Sequence, residues 1–172
     1  MLTAPEMKGR SAKKAAALLS ITWIVALLLG AFLACLTADS LQGPILGLLY
    51  APSSPVSVLL PAFLPFLITV FAVYFFPTGF IAVICGAKAF CFGFCSCGIA
   101  VVYGQGSWLV CLLTMFTDIF SVPVLCLYWL RCYSAAQRPT RIANVCFGFS
   151  LLAICATDYC FVTPFVEYLL SI

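Results

Sequence analysis

Residues 76–104 read FPTGFIAVICGAKAFCFGFCSCGIAVVYG, apolar throughout except for Lys88. Where the chain turns inside this stretch decides how the flanking runs divide into helices. A turn at Pro77-Thr78-Gly79 would start a helix there and carry Lys88 about 13 Å along its axis, at about 1.5 Å of rise per residue. A turn near Cys85-Gly86 would leave Lys88 at a membrane interface. A lysine at the bilayer centre costs at least about 2.5 kcal/mol, so the second placement is favoured, with the preceding helix long and bent at Pro77.

The membrane enters through composition. The 172 residues are 65% hydrophobic and only 8% charged, with a mean hydropathy of +1.22. A soluble domain carries about 25% charged residues, so this chain lacks the polar groups to coat a water-soluble surface. The expected class is an all-α, polytopic membrane protein in contact with the lipid bilayer. The net charge of +3 is too small to point to nucleic acid.

Before that stretch, Lys8, Arg10, Lys13 and Lys14 form a basic segment over residues 1–14, expected in the cytoplasm. The 22-residue run AAALLSITWIVALLLGAFLACL follows without a charge, long enough to cross a core of about 30 Å. A secretory signal ending at FLAC (32–35) is the competing reading, but the run is long for a signal core and further spans follow. Residues 37–56, with Gly43, Pro44, Pro52 and Pro55, read as an external loop. The next span carries Pro61 and Pro65, tolerated where neighbours bond the freed carbonyls.

Beyond it, Ala89, Gly93 and Cys97 lie four residues apart, a spacing that lets helix backbones approach. Packing inside the protein is preferred over a dimer face. Gly104-Gln105-Gly106 turns the chain outside the membrane. SWLVCLLTMFTDIFSVPVLCLYWL (107–130) holds Asp118 near its middle and Pro123 after it. An acid there is either a polar site within the membrane or the mark of a broken, re-entrant segment. Arg131, Arg138 and Arg141 then form a second basic loop, with Trp129 and Tyr133 placed as interfacial aromatics.

Five spans result, at about 15–36, 57–84, 87–104, 107–130 and 144–160, within a single membrane domain over 15–172. The N-terminus is expected in the cytoplasm and the C-terminus outside. All eight Lys and Arg then lie inside, while Asp39 and Glu167 lie outside. Asp158 falls near the outer end of the last span, with Thr163-Pro164 as a boundary after it, because the residue before a proline avoids the helical region.

Chemistry is poorly supplied. There is no His and only five acids, Glu6, Asp39, Asp118, Asp158 and Glu167. HExxH, GxSxG and P-loop patterns are absent. Eleven cysteines lie mostly in apolar runs, where a thiol packs as a small hydrophobe. Cys91, Cys95 and Cys97 lack a nearby His or acid, so packing is preferred to a soft-metal site. No cofactor, metal or catalytic residue is expected, and the chain reads as non-enzymatic.

Three pieces, in order, carry a resemblance. GAKAFCFGF, with Gly86, Lys88, Phe90, Gly93 and Phe94, is one. Tyr103-Gly104 followed by a polar break and Pro123 is the second. ATDYCFVTPFVEYLL, with Asp158, Thr163, Pro164 and Glu167, is the third. Together they resemble the stage II sporulation protein M family over about residues 57–172. The chain departs from that pattern with Asp158 in place of Glu, with Asp118 in place of Gln or Asn, and in its many cysteines.

The resemblance implies a non-enzymatic scaffold of the mother-cell membrane, which anchors the peptidoglycan hydrolases stage II sporulation proteins D and P during forespore engulfment. Asp158 and the tail that follows, with Thr163, Pro164 and Glu167, would belong to an external contact surface. A competing expectation, from the polar residues alone, is a small membrane subunit of a transporter using Asp118 and Lys88 within the membrane.

Overall fold

The structure, a computed structural model, describes residues 4–37, 40, 54–75, 79–104, 107–134 and 140–170. Among them every element is helical: α1 (Ala4–Leu36), α2 (Pro55–Phe75), α3 (Gly79–Tyr103), α4 (Ser107–Thr114), α5 (Phe116–Ser134) and α6 (Arg141–Thr157). A π-helical turn (Asp158–Val162) then leads into α7 (Thr163–Leu170). Four stretches are long and apolar enough to cross a membrane: Lys13–Leu36, Pro55–Phe75, Gly79–Val102 and Arg141–Val166. With the composition, they mark a membrane protein.

Local sequence explains most of the boundaries. Ser54 precedes Pro55, and Ser54 and Ser57 cap the start of α2 reciprocally, each side-chain oxygen accepting from the other's N–H at 3.2 and 3.1 Å. Proline at the first helical position costs nothing, since that N–H has no partner within the helix. Thr140 caps α6 by accepting from the Ala143 N–H at 3.3 Å. This cap starts the helix at Arg141 rather than near residue 144. Gly104 ends α3 at φ 62°, a conformation that favours glycine.

Three expectations are corrected. α3 runs unbroken through Cys85-Gly86; α2 ends at Phe75 and α3 begins at Gly79, so the spans expected at 57–84 and 87–104 are 55–75 and 79–103. Gly86 serves packing instead: a Cβ there would stand 3.2 Å from the Thr22 methyl of α1. The segment at 107–130 is not a hairpin. It does break at Met115, between α4 and α5, where the Met115 N–H donates to the Cys111 carbonyl and the Met115 carbonyl accepts from the Ile119 N–H, both at 2.9 Å.

Nor does the last helix stop at Thr163. Asp158–Val162 widens to π geometry, the Thr163 N–H bonds the Asp158 carbonyl five residues back, and Pro164, which has no N–H to place, sits in the first turn of α7. The external loop expected at 37–56 lies largely outside the described residues. So do Asp39, Pro77, Gln105, Gly106 and Arg138.

The helices alternate in direction. α1 and α3 are parallel, with Leu19 by Cys85, Leu27 by Gly93 and Cys35 by Cys97. α5 and α6 are antiparallel, with Thr117 by Asp158 and Tyr128 by Asn144. α2 opposes α6, with Val58 by Cys155 and Phe66 by Gly148. The core of Ile81, Ile84, Leu125, Tyr128, Trp129 and Leu151 lies toward the end where α1 and α3 begin. Leu28, Phe32, Phe71, Val83, Leu127 and Phe149 point outward and are exposed, an apolar coat suited to lipid and adverse in water.

Candidate functional site

A polar cluster inside the helical bundle begins with two prolines. Pro65 has no N–H, so in α2 the Pro61 carbonyl loses its ladder partner. Lys88 of α3 donates to that carbonyl from Nζ at 3.1 Å. The same Nζ donates to Asp118 Oδ1 of α5 at 2.5 Å. Lys88 is 7% exposed and Asp118 19%, so the pair is largely withdrawn from solvent. Asp118 also sits in the first turn of α5, where the helix dipole favours an acid.

Beside it, Thr117 donates its hydroxyl to Asp158 Oδ2 at the start of the π turn. Asp158 is buried. One cluster therefore ties together α2, α3, α5 and the end of α6. The expected cost of Lys88 assumed a lysine without partners. With an acid and an orphan carbonyl in reach, its ammonium has both counter-charge and acceptor. One turn beyond, the Ser121 hydroxyl is fully buried without a hydrogen-bond partner.

A second network lies nearer the start of α3. Thr69 donates to the Pro65 carbonyl at 2.7 Å and accepts from Trp129 Nε1 at 2.8 Å. Tyr128 donates to Asn144 Oδ1 at 2.9 Å and packs on Phe66 and Phe147 with ring centroids 5.0 and 5.1 Å away. Trp129 is thus a core residue, 0% exposed, and not the interfacial aromatic its neighbour Arg131 suggested. Between α1, α3 and α5, Leu19, Trp23, Cys85, Cys126 and Trp129 line an apolar cavity of about 340 Å³.

The expected residues are thus spread over distinct roles. Lys88 pairs with Asp118, and Asp158 bonds Thr117, the residue next to Asp118. Asp158 does not lie at the outer surface; it is turned into the bundle because the helix continues past it. Thr163 is half-buried and Pro164 is exposed in α7, and the Glu167 side chain lies outside the described residues. Gly86 and Gly93 face α1, where a Cβ on Gly93 would overlap the Leu27 carbonyl. Pro123 is exposed within α5. Among the described residues no group of three His, Cys, Asp or Glu is arranged to hold a metal.

Sequence reasoning did not single out the Pro61 carbonyl, Thr69, Asn144 or the α1 side of the glycine contact. The last had a readable signal. Ala26, Gly30 and Ala34 repeat every four residues, as Ala89, Gly93 and Cys97 do in α3. No family model, curated protein or solved structure matches this chain.

Proposed function

We propose that the chain is a non-enzymatic, multi-pass scaffold of the cell membrane, of the kind the stage II sporulation protein M family represents. In this role it holds peptidoglycan hydrolases such as stage II sporulation proteins D and P at the outer face during engulfment. One observation carries the reading. The three stretches on which the resemblance rests contribute Lys88, Asp118 and Asp158: Lys88 pairs with Asp118, and Asp158 bonds Thr117, the next residue along α5. Such a cluster locks α2, α3, α5 and α6 together, as a rigid platform requires.

In this reading the chain crosses five times, with α4 and α5 forming the fourth crossing. Lys13, Lys14, Arg131 and Arg141 gather at one end of the alternating helices, which favours that end in the cytoplasm. The C-terminus is then external. Phe161 (73% exposed) and Phe165 (51%) lie on either side of Pro164 there and, with Thr163, offer the contact surface. Asp158 acts from behind, by fixing where α7 leaves the bundle.

A second reading, a small membrane subunit of a transporter, is favoured by the same acids. They lie within crossing segments beside helix irregularities at Met115 and 158–162. Cross-linking native membranes and capturing the C-terminally tagged chain separates the two. Peptidoglycan hydrolases in the eluate are the expected result. An ATPase or a substrate-binding protein, together with flux lost in Asp118→Asn, would overturn the scaffold.

A further inference from the structure

Cys35 and Cys97 face each other across the α1–α3 crossing, their Sγ atoms 3.4 Å apart. The geometry of that crossing is unusual. A Cβ on Gly30 would overlap the Phe90 carbonyl and reach within 2.9 Å of the Phe94 nitrogen, and one on Gly93 would overlap the Leu27 carbonyl. The two backbones are therefore in direct contact. Helix axes ordinarily pack about 8–10 Å apart, whereas a disulfide needs its two Cα atoms within about 4.4–6.8 Å. Close backbone contact supplies what most helix pairs lack. The position also suits the chemistry: Cys35 is the penultimate residue of α1 and exposed, and Cys97 is partly exposed, unlike buried Cys85, Cys132 and Cys155.

We propose that Cys35 and Cys97 are a disulfide site, a covalent staple between the end of α1 and α3. The oxidant is a disulfide-bearing thiol oxidoreductase on the outer side. One thiolate attacks the oxidant's disulfide to give a mixed disulfide. The second thiolate displaces the oxidant's sulfur, forming Sγ–Sγ. The two cysteines lose two protons and two electrons, and the oxidant leaves as a dithiol. The choice of compartment rests on the orientation proposed above, which puts this end on the oxidising side. The staple closes the chain from residue 35 to 97 and would hold α1 in place while a partner pulls on the outer face.

The test starts from native membranes in which free thiols are blocked with N-ethylmaleimide before solubilisation. Peptide mass spectrometry should find Cys35 and Cys97 joined within one chain, lighter by two hydrogens and separated by reductant. The unfolding temperature of the purified full chain should fall on reduction, and in Cys35→Ser and Cys97→Ser reductant should change nothing. Both cysteines carrying maleimide, or either joined to another cysteine or to a second copy, overturns the staple. Orientation is read separately, with a membrane-impermeant maleimide applied to intact cells after mild reduction. A joined pair that labels only after permeabilisation leaves the staple standing and overturns the orientation.

Discussion

α3 presents two contrasting faces. Toward α1 it offers Gly86, Ala89, Gly93 and Cys97, and around Gly93 and Gly30 the contact is made by the backbones themselves. Toward α2 and α5 it offers Lys88 to an orphan carbonyl and a carboxylate. The first face depends on shape and, at Gly93 and across from it at Gly30, is intolerant of added atoms. The second depends on charge and is intolerant of a lost partner. Lipid supplies no hydrophobic drive between helices, so a membrane bundle needs such devices, and here one helix uses both.

The contrast predicts where single changes hurt most. Lys88→Met leaves the Asp118 carboxylate buried without its counter-charge and the Pro61 carbonyl without a donor. Removing one partner of a buried pair costs about 3–5 kcal/mol, so the unfolding midpoint in a denaturing-detergent titration should fall by that amount. Lys88→Met with Asp118→Leu should recover a large part of the loss. A double variant as weak as the single would show that the pair is not what couples α3 to α5.

Next in size is Gly93→Ala. Its new methyl meets the Leu27 backbone rather than a side chain, so α1 must shift as a body. Overpacking of this kind costs about 1–3 kcal/mol, and Gly30→Ala should match it from the other side. Unchanged midpoints in both variants would mean that the crossing is looser than backbone contact.

How far these devices were legible depended on whether their cause was local. The apolar run at 15–36 and the Ala89-Gly93-Cys97 spacing are local patterns, and both survive in α1 and in the α3 face. Sequence alone misplaces Lys88 because its partner stands thirty residues away, and the transfer cost of a lone lysine then argues for a turn that is not there. Pro164, which usually marks a helix end, argues from sequence alone for an end near Asp158. The π turn absorbs the proline, and only the Thr117 contact, forty-one residues distant, shows why the acid is held inside. The neighbour Arg131 suggests an interface for Trp129, whereas Thr69 on another helix holds it in the core.

Smaller effects sharpen the charged side. Trp129→Phe keeps most of the apolar volume but removes the Nε1 donor to Thr69. A hydrogen bond of this kind contributes about 1 kcal/mol net, and Thr69 keeps its own bond to the Pro65 carbonyl. The midpoint should fall by about that much. Loss of the Trp23–Trp129 contact, with centroids 6.4 Å apart, should appear in the same variant as a change in near-ultraviolet circular dichroism.

The smallest effect belongs to the position that first pointed to a turn. Gly86→Ala places its methyl 3.2 Å from the Thr22 Cγ2 atom, with the Ala26 Cβ next at 3.9 Å. Unlike Gly93, it meets side-chain carbon that moves with a small rotation. Alanine in place of a mid-helix glycine gains about 0.5–1 kcal/mol in helix stability, which offsets that adjustment, so the midpoint should hardly move. Were Gly86 a turn glycine, the same substitution would destabilise the fold. A loss as large as that of Gly93→Ala would therefore count against a continuous α3, and with it against the buried position of Lys88.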